Sequence, residues 1–410
     1  MWQTSLIHYL VGFVYLVLFS RWLWVSGVGD YFGLSRQAVL TIFLFKVFWC
    51  FVFVYVHLQW SGGGDTLDFF QSGDQVYRSL FRDPADYLKL VFLPNHYYVT
   101  DSLYHYNQAI NRYGDESTFF IIRLLAIFRL FSFGSYSAQA IMYSLLTLPG
   151  ILFIYAFCMR QLGLHIRTIH TVLLIIPATS FWIHGMHKEA LLLSACGMVL
   201  YPLTASDIKR SHLIWLIIGL VVLTLVRSHY LLLVVPLTAL MYIHKNRPQR
   251  IAVQYLATLA SILLVILLYF YLNDTSIRNY VFQQRDAYAQ LSGLQAGDLP
   301  LWQRFLCAVP GVLCSPFSSG AWPTDISDWL MYAFTCSAFV YLMIQIRARY
   351  FMFHPIGFTL VFASLIEFGI IGCVVVQHGG IARYRAPFLC LFILGILAMF
   401  KDKKSKKILN

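Results

Sequence analysis

Long apolar stretches separated by short polar connections dominate the chain. Because a helix needs about 20 apolar residues to cross the hydrocarbon core of a bilayer, this pattern predicts an all-α, polytopic transmembrane helical bundle that forms a single integral membrane domain over residues 1–410. We expect about eleven spans, at Ser5–Trp24, Val39–Leu58, Tyr136–Cys158, His170–Ile183, Ala190–Leu203, Leu213–Val226, Tyr230–Ile243, Ile251–Leu272, Trp329–Ile346, Pro355–Val376 and Tyr384–Phe400.

Two long connections interrupt this pattern, at 59–135 and 273–328. Each contains an amphipathic stretch, Val76–Val91 in the first and Ile277–Leu291 in the second, and these predict short helices lying on the membrane. The segment Ser117–Phe133 is apolar but includes two arginines. We interpret it as an interfacial or re-entrant segment rather than a further span.

The composition agrees with a membrane protein, since 59% of the residues are hydrophobic and only 12% are charged. In soluble domains about a quarter of the residues are charged. The formal net charge of +12 is concentrated on alternate connections and on the basic tail 401–410, which are therefore predicted to be cytoplasmic. This arrangement places the N-terminus outside and the C-terminus inside, and it explains the basic excess without a nucleic-acid partner.

The eight cysteines are scattered, and their spacing is not that of a zinc site. Most of them lie inside apolar runs, where packing is their expected role. Cys307 and Cys314 share the second long connection. They pair if that connection faces an oxidising compartment, or they remain free thiols.

Ionisable residues at the outer ends of predicted spans are the candidates for a functional site. The first cluster follows three consecutive glycines directly after a span, and it places Asp65 at the membrane surface with Asp68 one helical turn later. An alternative interpretation is structural, because Asp65 also suits the N-cap of a helix and Asp68 its dipole.

Two further clusters lie at predicted outer turns. The short hairpin after Trp182 contains His187, Lys188 and Glu189, and the next turn contains Arg227 and His229. Solvated side chains at the interface, or an arginine reaching toward headgroups, would explain these residues without a site. The alternative is that they bind a substrate.

In the fourth cluster, Arg383 and Arg385 enter a predicted span from its outer side, against the usual distribution of charge. Arginine binds phosphate through paired charged hydrogen bonds, so these residues indicate an anionic ligand. Glu367 lies inside the preceding span, where an unpaired carboxylate would be costly. We therefore expect it to pair with Lys188 or Arg227.

A carboxylate beside a phosphate-binding basic set suits the transfer of a sugar from a polyprenyl-phosphate carrier to an acceptor hydroxyl. In such a reaction the carboxylate removes the acceptor proton and the cations stabilise the departing phosphate. Asp65 is the candidate general base. The remaining candidates, which bind substrate, are Asp68, His187, Lys188, Glu189, Arg227, His229, Glu367, Arg383 and Arg385.

The sequence Gly-Gly-Gly-Asp65-Thr-Leu-Asp68-Phe-Phe, the polar hairpin and the late Gly-Gly-Ile-Ala-Arg383-Tyr-Arg385 element resemble the GT-C superfamily of lipid-linked-sugar glycosyltransferases. Members carry an acidic residue in the first large outer loop, soon after a membrane helix. The resemblance implies a catalytic role for Asp65, a carrier-phosphate role for Arg383 or Arg385, and a polyprenyl-phosphate-linked sugar donor in a bacterial cytoplasmic membrane. The acceptor is a glycan, lipid or protein.

The chain departs from that family in having an extra N-terminal helix and no large C-terminal soluble domain, so we expect acceptor binding in 273–328. Two other functions remain open: a polysaccharide-repeat polymerase or ligase, and a transporter or flippase for lipid-linked saccharides. A polymerase would tolerate loss of Asp65, and a transporter would show repeats or broken helices near the midplane. No cofactor is assigned, although Asp65, Asp68 and His187 could hold a divalent metal.

Overall fold

A computed structural model describes residues 6–60, 64–93, 110, 116–205, 210–227, 230–231, 308–315, 326–347, 349–375 and 378–402. Almost all of these residues are helical. In chain order the helices are α1 Leu6–Val25, α2 Val28–Phe32, α3 Arg36–Trp60, α4 Gly64–Arg82, α5 Pro84–Phe92, α6 Glu116–Ser132, α7 Tyr136–Leu146, α8 Leu148–Gln161, α9 Ile166–His170, α10 Pro177–His184, α11 Lys188–Thr204, α12 Arg210–Arg227, α13 Ile326–Arg347, α14 Pro355–Val374 and α15 His378–Met399.

Within the described residues, seven helical stretches are long and apolar enough to cross a membrane: Leu6–Val25, Arg36–Gln59, Tyr136–Gln161, Arg210–Arg227, Trp329–Arg347, Pro355–Val374 and Gly380–Met399. A bent pair, Ile166–Ile175 with Pro177–His184, makes eight if it counts as one span. The prediction of an all-α integral membrane protein is thereby confirmed. The total of about eleven spans and the orientation of the termini stay predictions, because 232–307 lies outside the described residues.

The chain divides into two compact units. Unit one comprises Met1–Ala156, Ile183–Val199 and Arg210–Leu231, and unit two comprises Phe157–Trp182, Leu200–Lys209 and Leu232–Asn410. No polar linker in the sequence separates the two units, and the single integral membrane domain over residues 1–410 stays a prediction.

In unit one, α1 packs against α3 and α7. The hydroxyls of Ser135 and Ser137 both donate to the carbonyl oxygen of His8, at 2.6 and 2.8 Å, and so fix the start of α1 against α7. The opposite face of α1 exposes large apolar side chains such as Phe13 and Trp22. An exposed apolar face of this kind suits lipid rather than water.

The amphipathic stretch of the first long connection forms two helices rather than one. The chain breaks after α4, where the Asp83 side chain accepts a hydrogen bond from the backbone N–H of Ala85 at 2.8 Å and Pro84 begins α5. Asp83 is thus an N-cap and proline occupies the first helical position, where its missing N–H costs nothing. The apolar face of α4 packs against α6.

The two arginines of α6 bind the neighbouring helices. Arg123 donates to the carbonyl oxygens of Leu90 and Leu93 at the end of α5. Arg129 forms an ion pair of 2.6 Å with Asp74 of α4. These contacts explain why an apolar helix carries two cations, and the interfacial or re-entrant interpretation of the segment stays a prediction.

The predicted span His170–Ile183 is not a single straight helix. A π-helical turn, Thr171–Ile175, ends at Ile176, and the chain then bends by 70° into α10. The Thr179 hydroxyl donates to the carbonyl oxygen of Val172 and the Ser180 hydroxyl to that of Leu173. Both acceptors lie in the turn before the break, where a continuous helix would have satisfied them. The break is therefore a stable feature of the fold.

In unit two, α14 and α15 pack closely at Gly357 and Gly395. A Cβ at either position would lie 2.7 Å from the carbonyl oxygen of the other. A two-stranded antiparallel sheet, β1 Arg349–Phe351 with β2 Phe400–Asp402, joins the end of α13 to the end of α15. The first two residues of the basic tail, Lys401 and Asp402, belong to this sheet.

Gly150 of α8 and Gly197 of α11 touch within unit one, and we expect Gly150→Ala to destabilise the protein. A Cβ at Gly150 would lie 2.0 Å from the carbonyl oxygen of Ser194. Because a backbone carbonyl cannot move aside as a flexible side chain can, the free energy of unfolding should fall by about 1–3 kcal/mol. Thermal unfolding in detergent measures it, with Gly311→Ala as control because nothing lies within 4 Å of a Cβ there. Equal melting temperatures for both variants would contradict the expectation.

Candidate functional site

A buried ion-pair network occupies the turn between α10 and α11. The Nδ1 atom of His187 lies 2.8 Å from one carboxylate oxygen of Glu189, and the Nη2 atom of Arg227 lies 3.4 Å from the other. Glu189 has no exposed surface and His187 is 1% exposed. A carboxylate this deeply buried is stable only with such partners.

The same turn is held by two neighbouring helices. The Lys188 ammonium donates to the Ser117 hydroxyl of α6 at 2.6 Å, and the Tyr143 hydroxyl of α7 donates to the carbonyl oxygen of His187 at 2.6 Å. All residues of the turn are buried. The sequence placed this hairpin at the membrane surface, whereas the structure places it inside unit one.

The depth of the turn follows from its contacts with α3. The Lys46 ammonium lies 3.4 Å from Nδ1 of His184, and the rings of Phe53 and His187 have centroids 4.7 Å apart. Phe53 precedes the end of α3 at Trp60 by seven residues, or about 10 Å at the helical rise. The turn therefore lies alongside the middle of α3 rather than at its end.

Asp65 lies in the first turn of α4, beside the same part of α3. The preceding Gly64 has a φ of 60°, and a Cβ there would lie 2.6 Å from the His57 ring. The His57 ring in turn stacks on Phe53 with centroids 4.0 Å apart, and Phe53 touches His187. Gly64, which precedes Asp65, is thus linked to the buried turn through the His57 and Phe53 rings of α3.

Asp65 and Asp68 are both half-buried. As the second residue of α4, Asp65 occupies the first turn of the helix rather than the N-cap position. A carboxylate in a first turn is favoured by the helix dipole. Asp65 therefore stabilises the start of α4 through the helix dipole, and this structural role is compatible with a role in catalysis.

Sequence reasoning missed Lys46. It has no exposed surface and lies within the apolar run Phe43–Trp49. A single cation inside a span is itself a sign of function, since charge is expensive there. We call the following group of residues the unit-one cluster: Lys46, His184, His187, Lys188, Glu189 and Arg227.

In unit two, Arg385 is 2% exposed and bonds to protein. Its guanidinium donates to the carbonyl oxygens of Val312 and Leu313, at 2.8 and 3.1 Å, and to the Thr335 hydroxyl at 2.6 Å. The carbonyls end the helical segment 308–313. Arg385 is thereby a structural brace, and a carrier-phosphate role for it stays a proposal.

Arg383 is half-buried, with its guanidinium 5.6 Å from the centre of the Tyr384 ring, and Glu367 is fully buried in α14. Both belong to unit two, whereas Lys188 and Arg227 belong to unit one and have partners there. The expected pairing of Glu367 with either cation therefore stays a prediction. His229 lies outside the described residues, and so does Cys307, while Cys314 has a free thiol.

No family model matches the chain, and neither a curated protein nor a solved structure is similar to it. A functional assignment therefore depends on the residues and their arrangement. No three His, Cys, Asp or Glu side chains of the described segments are grouped so as to hold a metal ion. Asp65, Asp68 and His187 do not form such a group.

We expect Arg385→Ala to destabilise unit two by about 2–3 kcal/mol, because it removes charged hydrogen bonds and leaves buried carbonyls without donors. Thr335→Val removes one of these bonds and should cost less. Thermal unfolding followed by tryptophan fluorescence measures both changes. If Arg385→Ala unfolded like the wild type but lost a bound lipid phosphate, the brace would be the wrong interpretation.

Proposed function

We propose that the protein is a membrane glycosyltransferase that moves a sugar from a polyprenyl-phosphate carrier to an acceptor on the extracytoplasmic face. One observation supports this most. In unit one the first turn of α4 lies against the His57 ring, which stacks on Phe53, and Phe53 contacts His187 of the basic turn between α10 and α11. Arg227, at the end of α12, pairs with Glu189 beside that turn. Three clusters far apart in sequence thereby belong to one unit.

The charges of the unit-one cluster favour an anionic ligand. Lys188 and Arg227 are cationic, and Glu189 is the carboxylate among the residues that define the cluster. Cations that exceed anions in a buried set attract phosphate, and buried charges interact more strongly than exposed ones. A carrier phosphate meets this requirement, and its hydrocarbon chain lies in the hydrocarbon core of the bilayer.

In the proposed reaction the bond between the sugar's anomeric carbon and the phosphate oxygen breaks, and its electron pair stays on the phosphate. Lys188 and Arg227 stabilise that charge. A new bond forms between the anomeric carbon and the acceptor oxygen. The acceptor proton passes to the carboxylate of Asp65, which acts as general base.

The location and partners belong to the same proposal. The N-terminus lies outside and the C-terminus inside, in a bacterial cytoplasmic membrane, so that Asp65 faces the extracytoplasmic side. The donor is a polyprenyl-phosphate-linked sugar, and the acceptor is a glycan, a lipid or a protein. Arg383 of unit two is half-buried, and the proposal gives it a carrier-phosphate role.

Native mass spectrometry of the detergent-purified protein tests the proposal. We expect polyprenyl phosphate or its glycoside on the wild type and its loss in a Lys188→Met, Arg227→Gln double variant. Lys89→Met is the matched control, because Lys89 lies on α5 with 45% of its side chain exposed. Bulk phospholipid alone on every variant would count against a lipid-linked substrate.

A transporter for lipid-linked saccharides is the second candidate, and one feature favours it. The bend between α9 and α10 interrupts a span, and the polar turn after α10 lies alongside the middle of α3. Transporters use interrupted helices of this kind at their substrate sites. Movement of a labelled lipid-linked sugar across a vesicle bilayer, unchanged in Asp65→Asn, would favour transport over transfer.

A further inference from the structure

Lys46 lies in the middle of a candidate membrane span. It is the eleventh of the 25 residues of α3, and therefore about 15 Å from the start of the helix and about 21 Å from its end. Its side chain has no exposed surface. An ammonium at such a depth is costly unless an opposite charge or several hydrogen bonds compensate it.

Among the described residues, little of that compensation is present. The Lys46 ammonium bonds to Nδ1 of His184, at 3.4 Å, and an ammonium has three protons to donate. No carboxylate of the described segments lies within 4.0 Å of the Lys46 ammonium. Cys50, one turn further along α3, is a titratable group beside it. Within the part of the chain that the structure describes, the buried ammonium is thus short of a counter-ion.

The partner of Lys46 lies close in sequence to the start of a helix. His184 is the last residue of α10, and α11 begins four residues later, at Lys188. A helix of 17 residues begins here, and the N–H groups of its first turn favour an anion. Glu189 is already shared between His187 and Arg227. An anion from outside the chain would complete the charge balance.

We propose that Lys46 and His184 form an anion-binding site inside unit one that takes a phosphate group. The proposal rests on the proposed function for the nature of the anion. It extends the site inward from Lys188 and Arg227, to a depth at which the ligand's phosphate is shielded from water. The source is a lipid-linked phosphate or free pyrophosphate, since both present the same oxygens.

Thermal unfolding of the full-length protein in detergent tests this site, with inorganic pyrophosphate and a short-chain polyprenyl monophosphate as probes. Sulfate at equal ionic strength controls for salt. The variants are Lys46→Met, which removes the charge at similar length, Lys46→Arg, which retains it, and Lys89→Met, which removes an exposed lysine that is 45% accessible.

Without ligand, we expect Lys46→Met to unfold at a higher temperature than the wild type, because a buried charge without a counter-ion has been removed. With ligand, the wild type and Lys89→Met should rise in melting temperature, as expected when a ligand binds the folded state. Lys46→Arg should retain part of the rise. Lys46→Met should lose it, with an apparent affinity at least about tenfold weaker.

A rise with pyrophosphate identifies a free anion site, and a rise with the polyprenyl probe alone identifies a carrier headgroup. An equal rise in Lys46→Met and the wild type, or no rise in the wild type with either probe, overturns the proposal. Asp65→Asn separates it from the transferase. That variant should keep the ligand-induced rise in melting temperature while it loses sugar transfer. Sugar transfer that persisted in Asp65→Asn would contradict the proposed transferase but not the anion site.

Discussion

Replacement of Asp65 by asparagine should lower sugar transfer by about a hundredfold or more, the usual contribution of a general base. The amide keeps the shape of the side chain but cannot accept the acceptor's proton. Because Asp65 is half-buried in the first turn of α4, the variant should still fold and insert. The measurement is the release of polyprenyl phosphate from a polyprenyl-phosphate sugar by protein in lipid nanodiscs.

Asp68→Asn is the matched control for this experiment. Asp68 is also half-buried and lies three residues further along the same helix. Its replacement changes the charge near the helix N-terminus by the same amount, so it reports the effect on the dipole without the effect on the base. Equal activity in both variants would remove Asp65 from the reaction and raise the polymerase and transporter alternatives.

Glu189→Gln should have the largest effect on stability, a loss of about 3 kcal/mol or more in the free energy of unfolding. Glu189 is fully buried between His187 and Arg227. An amide in its place leaves Arg227 without the counter-charge that Glu189 supplies, and removal of one partner of a buried pair is more harmful than removal of both. The measurement is the melting temperature and the yield of monodisperse protein in detergent.

A double-mutant cycle with Arg227→Gln provides the control. If the two residues act as a pair, the double variant should be more stable than the sum of the single effects predicts. Arg227 keeps 14% of its side-chain surface exposed, so its replacement alone should be milder than that of Glu189. Strict additivity of the two changes would show that the 3.4 Å contact contributes nothing.

The helical architecture was predictable because the bilayer imposes a length of about 20 apolar residues, which sequence shows directly. The helices α1, α3 and α14 follow the predicted spans closely. The position of the hairpin of α10 and α11 was harder to predict from sequence. Its predicted spans, His170–Ile183 and Ala190–Leu203, are shorter than the length that a bilayer requires. That shortness was the available sign that the turn between them stops inside the protein.

The candidate site was partly predictable for a related reason. Clusters of polar residues at span ends made Asp65, Glu189 and Arg227 candidates, and the structure pairs Glu189 with Arg227. Sequence does not show which cations have partners. Lys46 was missed because a single lysine barely changes the hydropathy of a span, and the brace role of Arg385 depends on carbonyls some seventy residues away in the chain. Only the fold brings such partners together.

The buried turn between α10 and α11 also constrains how the protein is made. A segment whose tip carries Lys188 and Glu189 would enter lipid unfavourably by itself. Helix α3, with Phe53 against the turn, is synthesised first, whereas Arg227 emerges 38 residues after Glu189. The hairpin therefore completes its charge pairing only after α12 has left the ribosome, and assembly of unit one must be finished after synthesis of three separate stretches of chain.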